Sequence, residues 1–123
     1  WLITRDQHSN RKLQPYVERN VDLILMPQRI SEQVEISSAM QELGTRGLTR
    51  ILVEGGKRIA QTLFSADLVD QLAWFRAPKI MGSNGVSAVG KLDVDSLSDI
   101  IKFTRVNSRS IGPDSIEILN RDR

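Results

Sequence analysis

Chemistry concentrates between Arg50 and Ala60, where the sequence reads RILVEGGKRIA. A short apolar run, Ile51 to Val53, leads into a carboxylate, Glu54, then two glycines, Gly55 and Gly56, then the start of a helix that carries Lys57 and Arg58. Anion binding suits that order. The first N–H groups of a helix have no partner inside it, and the macrodipole puts partial positive charge there. Glycines remove the Cβ atoms that would hold a phosphate away from the backbone. Two cations at a helix N-terminus oppose the dipole, a mild cost that a bound anion would offset. The same order also describes a tight strand-to-helix turn with two solvated cations. Spacing alone favours that plainer reading, since paired glycines match neither the dinucleotide fingerprint nor the P-loop. Both readings stay open on these residues.

Other residues offer less. The chain has one histidine and no cysteine, so neither a disulfide nor a Cys/His zinc site can be built, and no metal is expected. His8 sits in a polar stretch, Asp6 to Asn10, with no second ligand beside it, and is expected to be solvated and inert. Asp93 and Asp95 read as solvated loop carboxylates. Trp1, Trp74 and Phe75 lie on strand patterns and are expected in a core or an interface. The 17 basic and 15 acidic residues alternate to a net charge of +2, which is a solvated surface and not a nucleic-acid footprint. No apolar run approaches the roughly 18 residues of a spanning helix, and no secretory signal is visible, so no membrane partner and a cytoplasmic location are expected.

The elements that must position the Glu54–Ala60 segment follow from periodicity. Trp1 to Thr4 is a strand. Leu13, Tyr16 and Val17 mark a short helix, with Pro15 acceptable only in its first turn. Val21 to Met26 is a strand buried on both faces. Ile36, Ala39, Met40 and Leu43 form one helical face, stopped by Gly44 or Gly47. Arg50 to Val53 is a short buried strand, and Ile59, Ala60, Leu63 and Phe64 are the stripe of the next helix. Val69 to Ala77 is a strand ended by Pro78, and Gly82 to Gly90 is a loop. Ile100 to Val106 and Ser115 to Leu119 then pair around Gly112, Pro113 and Asp114 as a hairpin. The expected fold is one α/β domain with a mixed, mainly parallel sheet flanked by helices and a C-terminal antiparallel hairpin. Hydrophobic residues at 40% of 123 suffice for a core. A chain that opens inside a strand at Trp1 is expected to be part of a larger domain.

Three motifs in order, VEGG at Val53–Gly56, ADLVDQL at Ala66–Leu72 and APKIMG at Ala77–Gly82, are followed by GPDSI at Gly112–Ile116. Together they resemble the reductase domain of the bifunctional riboflavin-biosynthesis deaminase/reductase family over about residues 48–120; residues 1–47 match in pattern only. The resemblance implies a dihydrofolate-reductase-like fold, of which this chain is the C-terminal portion. It also implies NADPH-dependent reduction of 5-amino-6-(5-phosphoribosylamino)uracil at the sugar C1′, giving the ribitylamino product. Gly55, Gly56, Lys57, Arg58, Ile59 and Ala60 match the family's diphosphate-binding loop and helix, and Glu54 matches a glutamate at the substrate end. Thr4 and Arg5 stand where such folds can meet the 2′-phosphate of NADPH. A cis or otherwise strained Gly55–Gly56 linkage is expected, together with a homo-oligomer and an isolated chain without turnover.

Two positions differ from the family pattern. Lys57 and Arg58 replace a proline followed by Thr or Ser, and Arg58 could pair with a phosphate in bidentate fashion. Asp67 replaces a glycine at a helix C-terminus, where positive φ is expected. The alternatives are another dihydrofolate-reductase-like reductase of a pterin or pyrimidine, and a non-enzymatic scaffold or oligomerisation module in which Val69 to Ala77 is a pairing strand.

Overall fold

Each of three helices stops at a residue able to take a left-handed backbone. Asn20 (φ 56°), Gly47 (φ 90°) and Asp67 (φ 52°) hold those positions in the computed structural model, which describes residues 1–27 and 34–122. The order of elements is β1 Leu2–Arg5, α1 Asn10–Val17, β2 Leu23–Met26, α2 Ile36–Thr45, α3 Lys57–Ser65, β3 Gln71–Arg76, β4 Phe103–Ile111 and β5 Asp114–Arg121. Two compact units divide the chain, Trp1–Leu52 and Val53–Arg123.

In the first unit β1 and β2 pair in parallel, with Leu2 opposite Leu23 and Arg5 opposite Met26. The chain between them carries α1, as a parallel pair requires a crossover. Leu13, Ile24, Ala39 and Leu43 are its buried apolar residues. The Trp1 indole N–H donates to the Asp22 carboxylate at 3.1 Å, and the Arg46 guanidinium lies 5.4 Å from the Trp1 ring centroid. Two expectations change here. Leu25 is 46% exposed, so β2 buries one face and not both. Pro15 lies inside α1 and beyond its first turn, because the helix begins at Asn10, after Ser9.

α2 ends in a Schellman arrangement. The Gly47 and Leu48 amides donate to the carbonyls of Gly44 and Leu43 at 2.9 and 3.1 Å. Gly44 itself stays helical, and Gly47 is the stop.

Arg50 to Val53 forms no strand, contrary to expectation: Leu52 is 80% exposed, and Ile51 and Val53 are exposed as well. β-branched and apolar residues favour a pleated, half-buried surface, but only a hydrogen-bonded neighbour makes the strand. Among the described residues none pairs with this segment.

The second unit holds a three-stranded antiparallel sheet in the order β3-β5-β4. β4 and β5 turn through Gly112 (φ 58°) and Pro113, with Ile111 opposite Asp114. Positive φ followed by proline suits a two-residue type II′ hairpin. α3 buries Leu63, and Phe64 meets Phe103 edge-on at 6.2 Å. The Asp67 and Leu68 amides close α3 onto Phe64 and Leu63 at 3.1 and 3.0 Å, with the Asp67 carboxylate taking the Arg121 guanidinium at 3.0 Å. The positive φ expected of Asp67 is therefore present, and its side chain is held in place.

On one face of this sheet Glu117 of β5 pairs with Arg105 of β4 at 2.8 Å and with Arg76 of β3 at 3.0 Å. The hydrogen bond from Arg105, aided by the charges of Arg76 and Arg105, holds the Glu117 carboxyl below its usual range. Phe75 points to the other face and is 63% exposed. The α/β class and the C-terminal hairpin are as expected; the parallel part is confined to β1 and β2.

Candidate functional site

Of the segment singled out by chemistry, the part from Glu54 to Ala60 lies wholly in the second unit. Gly56 is the N-cap of α3, extended at φ −75° and ψ −175°, and it has no side chain to accept a first-turn amide. The first helical bond runs from the Ala60 amide to the Gly56 carbonyl at 3.2 Å. The amides of Lys57, Arg58 and Ile59 precede it and have no acceptor within the helix. Lys57 and Arg58 are exposed, and neither joins an ion pair among the described residues. Uncapped amides, dipole and two free cations thus meet at one place.

The two glycines are glycine for different reasons. A Cβ on Gly55 would overlap the Ile59 Cγ2, so Gly55 is demanded by the chain's own packing. A Cβ on Gly56 would meet nothing within 4 Å. The expected cis or strained linkage is absent: the described residues contain no cis peptide bond, and neither glycine has positive φ. An extended trans turn already brings the chain into α3, so no strain is needed to make it.

Ile59 turns its side chain towards Gly55, and Ala60 is half-buried with its amide already taken by the Gly56 carbonyl. Glu54 is exposed and makes no hydrogen bond or ion pair among the described residues. The loop that ends at Gly90 comes against α3, with the Gly90 amide donating to the Lys57 carbonyl at 3.3 Å. Sequence reasoning read this loop only as a Gly-rich connection. Its closing glycine was the available signal.

A shallow, solvent-open depression lies at the end of β3, lined by Arg76 of that strand and by Ala77, Lys79, Ile80 and Met81 of the APKIMG motif. Thr4 and Arg5, both half-buried, belong to the first unit. His8 is half-buried where full exposure was expected, and Asp93 is exposed, 3.8 Å from Lys91. No group of acidic, His or Cys residues among the described residues could hold a metal ion, and no helix among them is long and apolar enough to cross a membrane.

Comparison with known proteins yields concordant matches. The family described as RibD C-terminal domain matches residues 1–116. The riboflavin biosynthesis protein RibD of Escherichia coli is 31% identical over 94 residues, covering 76% of this chain and 25% of that protein. The 5-amino-6-(5-phosphoribosylamino)uracil reductase of Buchnera aphidicola is 28% identical over 120 residues, covering 98% of this chain and 55% of that protein. The chain therefore spans between a quarter and just over half of these relatives. Among solved structures, a pyrimidine reductase-like protein from Corynebacterium diphtheriae superimposes with a TM-score of 0.77 at 22% identity, over 98% of this chain and 48% of that one. Acinetobacter baumannii RibD gives a TM-score of 0.75 at 15% identity, over 89% of this chain and 29% of that one. These two likenesses establish the fold.

Proposed function

This chain belongs to the RibD C-terminal domain family, and from that premise we propose that it forms the cofactor-phosphate side of a riboflavin-pathway reductase. The substrate is 5-amino-6-(5-phosphoribosylamino)uracil, reduced at the sugar C1′ to the ribitylamino compound. The observation that carries the reading is the open N-terminus of α3, where Gly56 leaves the amides uncapped beside exposed, unpaired Lys57 and Arg58.

These residues fit a nicotinamide dinucleotide, and NADPH in particular, through its diphosphate. The Lys57, Arg58 and Ile59 amides would hold one anionic oxygen cluster, helped by the dipole and by the two side chains. Gly56 leaves the approach open, Gly55 lets Ile59 pack beneath the turn, and the Ala60 amide closes the first helical bond onto Gly56. The cofactor, when bound, supplies the hydride; the protein's part is binding, orientation and exclusion of water. Glu54 precedes this turn, and its unpaired carboxylate is available to accept a hydrogen bond from the phosphoribosylaminopyrimidine. A cytoplasmic, homo-oligomeric enzyme fits this reading, with the 123 residues alone giving no turnover.

Arg58 tests the reading. In the full-length protein Arg58→Ala should weaken NADPH binding by about 10- to 150-fold, as expected for a lost charged hydrogen bond. Calorimetric titration measures it, and an unchanged dissociation constant would return Arg58 to the solvated surface.

A further inference from the structure

We infer that Gly90 is a positioning residue for the first turn of α3, and the inference rests on the reading of that turn as a cofactor-phosphate site. Gly56 gives α3 no side-chain cap, so something else must hold the turn in one orientation. Among the described residues, the hydrogen bond from the Gly90 amide to the Lys57 carbonyl, 3.3 Å, is the one that ties the first turn to a segment outside the helix. Lys57 and Gln61 stand four residues apart and so share a helix face. Gly90 lies on that face. A Cβ built on Gly90 would overlap Gln61 Oε1 and stand 2.8 Å from Gln61 Cδ and 3.1 Å from Gln61 Cβ.

Glycine at 90 is not set by backbone conformation, since its φ is not positive. It is set by closeness. Rotating the Gln61 amide away would relieve the Oε1 and Cδ contacts, but the Cβ contact remains unless the loop itself backs off the helix. Backing off lengthens the bond to Lys57 and frees the turn whose amides are to meet the anion. Gly90 therefore acts through α3 and touches no reacting atom.

The test uses Gly90→Ala, Gly90→Ala/Gln61→Gly, which removes the Cβ contact as well, Gln61→Gly alone as its reference, and Arg58→Ala, in the full-length protein with two readouts. In the ligand-free protein, hydrogen exchange at the Ala60, Gln61 and Thr62 amides should quicken about tenfold in Gly90→Ala, while the β5 amides stay as they were. Calorimetry with NADPH should show about tenfold weaker binding from the same overpacking, and the double variant should bring both readouts to within about twofold of Gln61→Gly alone. Unchanged exchange at Ala60–Thr62, quickening spread equally to β5, or a double variant that restores nothing overturns the proposal. If exchange responds but binding does not, Arg58→Ala separates the cases. Weakened binding in Arg58→Ala sinks the positioning role alone; no effect there sinks the cofactor-phosphate reading and this inference with it. Should Gly90→Ala fail to fold, the double variant must fold, because every close atom belongs to the Gln61 side chain, its Cβ included. A double variant that also fails to fold overturns the proposal.

Discussion

At the start of α2 the Glu35 carboxylate accepts the amides of Ser37 and Ser38 at 2.8 and 2.7 Å. At the start of α3 the corresponding amides belong to Arg58 and Ile59, and the residue in Glu35's place is Gly56, which has nothing to offer them. The two ends face the same deficit of acceptors. α2 meets it from within: hydrogen bonds from Ser38 and Ser37 hold the Glu35 carboxyl at a pKa of about 2, so its charge persists through ordinary acidity. α3 leaves the deficit standing and adds two cations beside it. The α2 end is satisfied within the chain, whereas the α3 end leaves room for an anion from outside, which is the reading proposed above.

Giving α3 what α2 has is the severest way to break that contrast. Gly56 has ordinary extended φ and open space at its Cβ, so Gly56→Glu should fold normally. Its carboxylate would occupy the amides and repel a phosphate, weakening NADPH binding by about a hundredfold. Calorimetry reads the affinity and a melting curve reads the fold. Binding that survives the substitution would mean that the anion does not meet this turn.

Separating the two glycines gives a smaller effect with opposite signatures. Gly55→Ala must displace Ile59 and should destabilise the protein by about 1–3 kcal/mol in chemical denaturation. Gly56→Ala meets nothing in the chain, so its melting temperature should barely move while NADPH binding falls about tenfold, because a methyl group blocks the backbone approach. Identical stability losses in both variants would erase the distinction drawn here.

Smallest is Glu35→Ala, which should leave NADPH affinity alone and lower the melting temperature at neutral pH. Because the folded pKa is depressed to about 2 from 4.5, the stabilisation is fully present above pH 4.5 and is lost as pH falls through about 2. Melting curves of the two proteins taken down that range should converge. Curves that stay apart at the acid end would show that the carboxylate charge is not what holds α2.

What was legible in the sequence was local. The start of α3, its apolar stripe at Leu63 and Phe64, and the left-handed stop at Asp67 each depend on a few consecutive residues. What was not legible depends on a neighbour. Arg50 to Val53 has strand residues, yet no described strand pairs with it. β4 runs on to Ile111, past the expected end at Val106, through Asn107, Ser108, Arg109 and Ser110. Those polar residues carry no apolar alternation; the ladder with β5 holds them, and the register shift between Arg105 and Asn107 disrupts the period as well. The Glu35 cap and the contact of Gly90 with Gln61 likewise arise from side chains and loops meeting in space. The cis expectation at Gly55 and Gly56 came from resemblance, and local packing met the same need with a trans turn.

The carboxylate shared by Arg76 and Arg105 has a consequence for how the second unit assembles. Glu117 is on the middle strand, its partners are one on each flanking strand, and its side chain is only 14% exposed. If either flanking strand slid by one residue, its arginine would turn to the opposite face, since side chains alternate along a strand. Glu117 would then keep its charge in a sheltered place with half its partners gone. The pairing thus works as a reading-frame check: one acidic side chain compares the alignment of both neighbours, and only the native frame satisfies it twice.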